Sequence, residues 1–208
     1  PPATAEVRAR FTPGDEARRS PGALVRTDAQ AAGPLGTGGY RIGFSHLSRH
    51  GVGEHAAAEQ NVLNAQLVQL LDPRTQLRFV LNAADTPEAQ NPGSLPADSA
   101  RLHPEMAWPN NVRTGSGESA RQVQGGVTLE RTGASTNAQI IAWGAQRSLE
   151  NPIPVAFIEL ERTAGGARAE LDGTRGRFAW AAGVEAELQR DTRLEWTNDA
   201  GERGSERA

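Results

Sequence analysis

The sequence predicts an all-β fold: an antiparallel up-and-down meander of about nine long strands, an open segment of a transmembrane β-barrel. Three observations lead there. Apolar residues recur at every second position instead of every third or fourth, which is the period of a half-buried strand. Most alternating runs approach the ~9–11 residues that cross a bilayer obliquely. The connections between them fall alternately short and long, as in outer-membrane barrels, whose periplasmic turns are short and whose outward loops are long.

In chain order, Val7, Ala9 and Phe11 alternate weakly, followed by the stretch from Leu24 to Ala32. Tyr40, Ile42 and Phe44 then alternate with Arg41, Gly43 and Ser45. From Ala56 to Leu71 the chain is rich in Ala, Gln and Leu, which favour helices. The alternation of Leu63, Ala65 and Leu67, and the tight turn after it, predict a long strand instead. Leu77, Phe79, Leu81 and Ala83 form the next run, and Val123, Gly125, Val127 and Leu129 the one after. Weaker alternation covers Gln139 to Gln146 and Val155 to Leu171. The clearest pattern closes the series: Phe178, Trp180, Ala182, Val184, Ala186 and Leu188 share one face, and Arg177, Glu185, Glu187 and Gln189 the other. Phe178, Trp180, Val184 and Leu188 are expected on the convex, lipid-facing side.

Short turns are expected at Gly33 to Gly38, Asp72 to Thr75, Gly133 to Asn137 and Asp172 to Gly176, on one rim. Longer connections are expected at Thr12 to Gly22, Arg49 to Ala57, Asp85 to Ser119, Leu149 to Pro154 and the tail from Asn198, on the other. The whole of 1–208 reads as one partial barrel domain.

Composition narrows the function classes. The 208 residues carry 25 acidic and 22 basic side chains, a formal net charge of -3, and every basic residue is Arg, scattered along the chain. No electrostatic footprint for nucleic acid follows. The lack of Cys removes disulfides, thiolate metal sites and cysteine nucleophiles. Mean hydropathy of -0.55 and the lack of any ~18-residue apolar run exclude spanning helices. Pro1 to Arg10 shows no basic start followed by an apolar core, so no secretory signal is read there.

Several segments are similar to a known family. Tyr40-Arg41-Ile42-Gly43-Phe44-Ser45, His50-Gly51 through His55, and the strand pair closed at Asp72 to Thr75 resemble the early barrel of TonB-dependent outer-membrane receptors. The run Asp85 to Leu95, then Pro109-Asn110-Asn111, Glu118 to Gln122, Arg147-Ser148-Leu149 and Asn151 to Pro154 resemble the long outer loop and flanking strands of the ferric-siderophore branch. The resemblance covers about residues 20 to 195. It implies uptake of a ferric siderophore or a similar small nutrient, outer-membrane lipid around the wall, and coupling to the TonB complex through a plug. The family barrel has 22 strands, more than 208 residues can supply at ~10 residues each, and no plug is recognisable. The chain therefore reads as part of a barrel wall, and its sheet is expected to be curved but open.

Candidate site residues follow from that frame. Trp108 and Arg113 lie in the expected outer loop, and Arg121 and Arg147 near the outer rim, where guanidinium forks suit anionic ligands. Arg41, Arg78, Arg121, Arg147 and Arg168, with Glu130, Glu170, Glu185 and Glu187, are placed on or near the polar, lumen-facing side. His46, His50 and His55 lie close in sequence without an acidic or thiolate partner, and His103 stands alone, so a solvated loop is expected and no metal. Phe178, Trp180 and Trp196 fit interfacial aromatic positions. No Ser-His-Asp order, phosphate loop or carboxylate pair suggests catalysis, and no cofactor is expected. The alternative is a soluble extracellular β-sandwich that binds carbohydrate or protein through its long loops.

Overall fold

A computed structural model describes residues 3–12, 23–50 and 53–207. The strands are β1 (Thr4–Thr12), β2 (Ala23–Leu35), β3 (Gly38–His50), β4 (Ala58–Asp72) and β5 (Thr75–Gln90), then β6 (Gly117–Thr132), β7 (Thr136–Ile153), β8 (Ala156–Arg175), β9 (Phe178–Asp199) and β10 (Glu202–Glu206). Two short helices, α1 (Ala97–Leu102) and α2 (Pro109–Arg113), lie between β5 and β6. All ten strands form one sheet in sequence order, each antiparallel to the next, and the end strands β1 and β10 do not pair with each other. The expected open meander is present. The β-sandwich alternative fails, because it needs a second sheet and the described strands make only one.

The register explains how so polar a sequence forms so large a sheet. Residues opposite one another on antiparallel strands share a face. One such row runs Ala31, Ile42, Ala65, Leu81, Gly125, Gly144, Gly165 and Leu188 across β2 to β9. The neighbouring row on the same face runs Gly33, Tyr40, Leu67, Phe79, Val127, Ala142, Ala167 and Ala186. On this apolar face the first charges appear at Asp85, Arg121, Glu150, Glu161 and Arg190 toward one rim, and at Arg131 and Arg175 toward the other. Within β6 the interval from Arg121 to Arg131 is about 33 Å along the strand, hence about 23 Å of height at a 45° tilt, close to the ~25 Å apolar band of an outer-membrane barrel.

The belt has no second layer over it. Val184 and Leu188 are 70% and 83% exposed, and Phe178 and Trp180 are exposed too. Most of the buried residues gather instead at one rim, where Ala107, Ala156 and Phe157 lie with Asn111, Thr114 and Ser116, while Thr75 is buried at the other.

Turns follow local chemistry. At β4–β5, the Asp72 carboxylate accepts the Arg74 N–H at 2.8 Å and the Thr75 hydroxyl at 2.8 Å, closing a two-residue turn with Pro73. The turns β2–β3, β4–β5, β6–β7 and β8–β9 share one rim, as expected, and the β5–β6 connection lies on the other.

Several boundaries differ from expectation. The connection after β5 runs over 91–116, not from Asp85 to Ser119, because β5 continues past a bulge between Thr86 and Ala89 and stays paired to Gln90. The expected long connection from Leu149 to Pro154 is a tight turn: Asn151, Pro152 and Ile153 remain paired with β8. Loop length therefore does not sort the two rims, since β7–β8 and β9–β10 turn tightly on the rim that carries the long loop. The tail from Asn198 is ordered as the end of β9 and a tenth strand. The Ala-rich stretch after Ala57 is strand β4, since pairing with β3 and β5 outweighs its helical propensity. The Thr12 to Gly22 connection lies almost wholly outside the described residues, as do Gly51 and Val52 of the next loop.

Candidate functional site at the outer rim and the polar face

The long loop between β5 and β6 folds back onto the strand ends. At its entry, the Asn91 N–H donates to the Ser116 carbonyl at 2.9 Å, and the Trp108 N–H donates to the Pro92 carbonyl at 2.7 Å. Gly93, at φ +74°, makes the close approach possible, since a Cβ there would lie 2.8 Å from the Trp108 Cβ. Pro109, at the start of α2, fits a position whose N–H has no helical partner. Thr114 is 0% exposed; its hydroxyl donates to the Asn110 carbonyl at 2.6 Å and lies 3.0 Å from the Ser116 hydroxyl.

Neighbouring segments fasten this cap to the wall. Asn198 Nδ2 donates to the carbonyls of Thr114 at 2.8 Å and Ile153 at 2.9 Å, and Asn198 Oδ1 accepts the Gly201 N–H at 2.8 Å. The Glu54 N–H reaches the Glu105 carbonyl at 2.8 Å, and His55 Nε2 donates to the Ser116 carbonyl at 2.6 Å. Arg203 lies 5.5 Å from the Phe157 ring centroid and pairs with Glu150 at 2.8 Å and with Glu159. The buried Asn111, Thr114 and Ser116 are tolerable here because they find partners inside the cap, whereas the Trp196 indole N–H is buried without a hydrogen-bond partner among the described residues.

The polar face of the sheet carries a lattice of charge and amide contacts. Glu130 accepts from Gln139 at 3.0 Å and from Gln76 at 3.5 Å, with Arg78 3.9 Å away. Arg162 holds Asp191 through two bonds of 2.8 and 2.6 Å, a bidentate fork across β8 and β9. Arg168 pairs with Glu170, and Gln30 links Glu6 to Arg41. Trp143 also lies on this face, between Gly126 and Gly166 of the adjoining strands. A Cβ at Gly166 would sit 2.8 Å from Trp143 Nε1, so glycine is what admits the ring.

The four residues singled out from sequence do not form one site. Trp108 and Arg113 are on the cap, where Trp108 is 43% exposed and Arg113 bonds the Asn110 side chain at 2.6 Å. Arg147 lies on the polar face, in register between Gln122 and Arg162, with no side-chain hydrogen bond or ion pair among the described residues. Arg121 occupies the opposite face, opposite Asp85 and bonded to it at 3.0 Å. Its expected placement on the polar side is corrected by the strand period: it is two residues from Val123, so it shares the face of Val123, Gly125 and Val127 beyond the end of the apolar belt. Arg41, Arg78 and Arg168, with Glu130, Glu170, Glu185 and Glu187, are on the polar face.

The histidines serve separate local roles. His46 contacts the Asn61 side chain at 2.8 Å, and His103 lies 3.5 Å from Glu105. Among the described residues no group of three or more His, Asp or Glu side chains is arranged to hold a metal ion. Trp196 is also repositioned. It lies 16 residues beyond Trp180 on β9, about 37 Å higher at a 45° tilt, and pairs with Phe157 in the rim core, above any interfacial band. The cap was missed from sequence as a packed unit. Gly93 before Trp108 and Pro109 at the start of a helix were its only local signals.

No protein-family model matches the chain. Among solved structures, the chain is similar to the ferric citrate transporter FecA in its unliganded form, with a TM-score of 0.68 and 15% sequence identity. The match covers 98% of this chain and 31% of that one, so the chain spans about a third of the transporter's length. At such low identity the likeness is one of fold: the antiparallel sheet resembles part of that transporter's barrel wall.

Proposed function

We propose that this chain forms part of the wall of an outer-membrane transporter that takes up a ferric siderophore or a similar small nutrient, driven by the TonB complex acting through a plug. The observation that carries the reading is the division of the sheet between two solvents. One face is free of charge over about 23 Å of height, and the other carries cross-strand ion pairs and amides at the same height. Charge on a lipid-facing strand position costs ~2–4 kcal/mol near the bilayer midplane, so the charged face is the lumen. The tight turns at Pro73-Arg74 and Gly176-Arg177 are then periplasmic and the cap over 91–116 external.

In this reading Arg147 is the better ligand contact than Arg121, since it faces the lumen without a side-chain partner among the described residues. Trp108 and Arg113 on the cap stand at the entrance. The reading is tested by uptake of radioactive ferric chelates into cells that depend on the protein. Arg147→Gln is expected to lower uptake at limiting substrate, with Arg121→Gln close to wild type. Uptake that is insensitive to loss of the whole protein, or recovery of the chain in the soluble fraction without detergent, contradicts the reading.

A further inference from the structure

Beyond the apolar belt, toward the long-loop rim, the two faces of the wall exchange character. On the belt's own face, Arg121, Ser148 and Glu161 form the first polar row, and Ser119, Glu150 and Glu159 the next. On the opposite face, between those two rows, Ala120, Leu149 and Leu160 stand in register, and both leucines are half-buried. An apolar row turned inward there suits an apolar group held against the wall, as ligand sites join apolar lining to a few placed polar groups.

Directly beneath this row, on the same face, lies Arg147. Its register neighbours are Gln122 and Arg162, and Ala145 and Leu149 flank it along β7, so no carboxylate adjoins it. Like charges directly opposite on paired strands are destabilising, and Arg147 and Arg162 are such a pair. One carboxylate serves the two. Asp191 is held by Arg162 through bonds of 2.8 and 2.6 Å and also accepts from Gln189 at 3.2 Å. Arg193, opposite Leu160, lies 3.4 Å from Glu195. The row is therefore short of a single negative charge, and the place for it is Arg147, half-buried and without a side-chain partner among the described residues.

Resting on the barrel-wall reading above, which puts this face in the lumen, we infer that the substrate carries one carboxylate on an apolar body, with the carboxylate bound by Arg147 and the body lying on Leu149 and Leu160. A guanidinium takes a carboxylate through two parallel hydrogen bonds, and the apolar neighbours of Arg147 weaken the screening of that pair. A ligand with several negative charges gains nothing further, because Arg162 and Arg193 are held by Asp191 and Glu195, whose charges repel it.

The test uses cells that depend on the protein for iron, given radioactive iron as a neutral trihydroxamate chelate that bears one pendant carboxylate, its methyl ester, or three carboxylates. The monocarboxylate is expected to reach half-maximal uptake at about a tenfold lower concentration than the ester, and the tricarboxylate at no lower concentration than the monocarboxylate. Arg147→Gln raises the monocarboxylate's half-saturation to that of the ester and leaves the ester unchanged, and Arg147→Lys keeps part of the preference. Leu160→Asn weakens acid and ester alike, about fivefold, with the preference between them kept. Equal half-saturation of acid and ester, tightest uptake of the tricarboxylate, or a preference that survives Arg147→Gln overturns the inference and leaves the barrel-wall reading standing. Uptake of all three chelates that continues without the protein overturns that reading, and the inference with it.

Discussion

Within β9, Phe178 to Leu188 and Leu194 to Asp199 belong to one strand but are stabilised in different ways. The first segment buries nothing against the described protein: its even-numbered residues are apolar and exposed, a contiguous surface of the kind that marks a membrane or partner face. The second is half-buried against protein: Trp196 faces Phe157, and Asn198 closes hydrogen bonds to the cap at Thr114, to the end of β7 at Ile153 and to its own hairpin at Gly201. The belt depends on its surroundings, and the rim carries its own core. A barrel wall needs both, because the belt leaves the strand ends free and the rim fixes which loops stand over the mouth.

The largest expected effect separates the two faces of the belt. Ala167→Arg, on the apolar face, should destabilise the protein by about 2–4 kcal/mol in bilayers, measured by urea unfolding from vesicles. Ala164→Arg, three residues away on the polar face, should change it by less than about 0.5 kcal/mol. Equal penalties at the two sites break the distinction between a lipid side and a water side.

At the rim, Asn198→Leu removes three hydrogen bonds and strands the Thr114 and Ile153 carbonyls, at about 2–3 kcal/mol. The loss should appear as rapid proteolysis and amide exchange over 91–116 with the belt's strand signal unchanged. Loss of the whole sheet signal would mean that rim and belt are one cooperative unit. Thr114→Val, isosteric but without the hydroxyl, should cost about 1–2 kcal/mol, read from exchange at Gly115 and Ser116.

The smallest effect lies at the opposite rim. Hydrogen bonds from the Arg74 N–H and the Thr75 hydroxyl hold the Asp72 carboxyl below the ordinary carboxylate range. Its contribution is therefore complete above the ordinary value of about 4 and lost as pH falls through the lower, folded value. The protection factor of the Arg74 amide, its exchange relative to the intrinsic rate at each pH, should fall over that acidic range, and Asp72→Asn should abolish that fall. A protection factor that is flat with pH in the wild type would contradict the assignment.

The belt was legible because its rule is local. Alternation around Leu77 to Ala83 and Phe178 to Leu188 is visible in any window of eight residues, and Asp72-Pro73-Arg74-Thr75 carries its turn in its own side chains. Arg121 was equally legible, since counting by twos from Val123 assigns its face. The rim was not legible, because Asn198 bonds Thr114 across 84 residues and Ile153 across 45, and no local pattern announces such a meeting. Pro152 in β7 misled for a related reason: proline reads as a strand breaker, and only the pairing of Pro152 with Phe157 shows the strand continuing through it.

The division of the sheet between two solvents is tested most directly along β8, and the lack of native cysteine makes the experiment clean. Single cysteines placed in turn from Ala164 to Leu171, with the protein in bilayers, are spin-labelled and exposed to a lipid-soluble and a water-soluble relaxing agent. Gly165, Ala167, Ala169 and Leu171 should respond to the lipid-soluble agent, and Ala164, Gly166, Arg168 and Glu170 to the water-soluble one, alternating residue by residue. Equal response of all eight positions to the water-soluble agent would contradict the account.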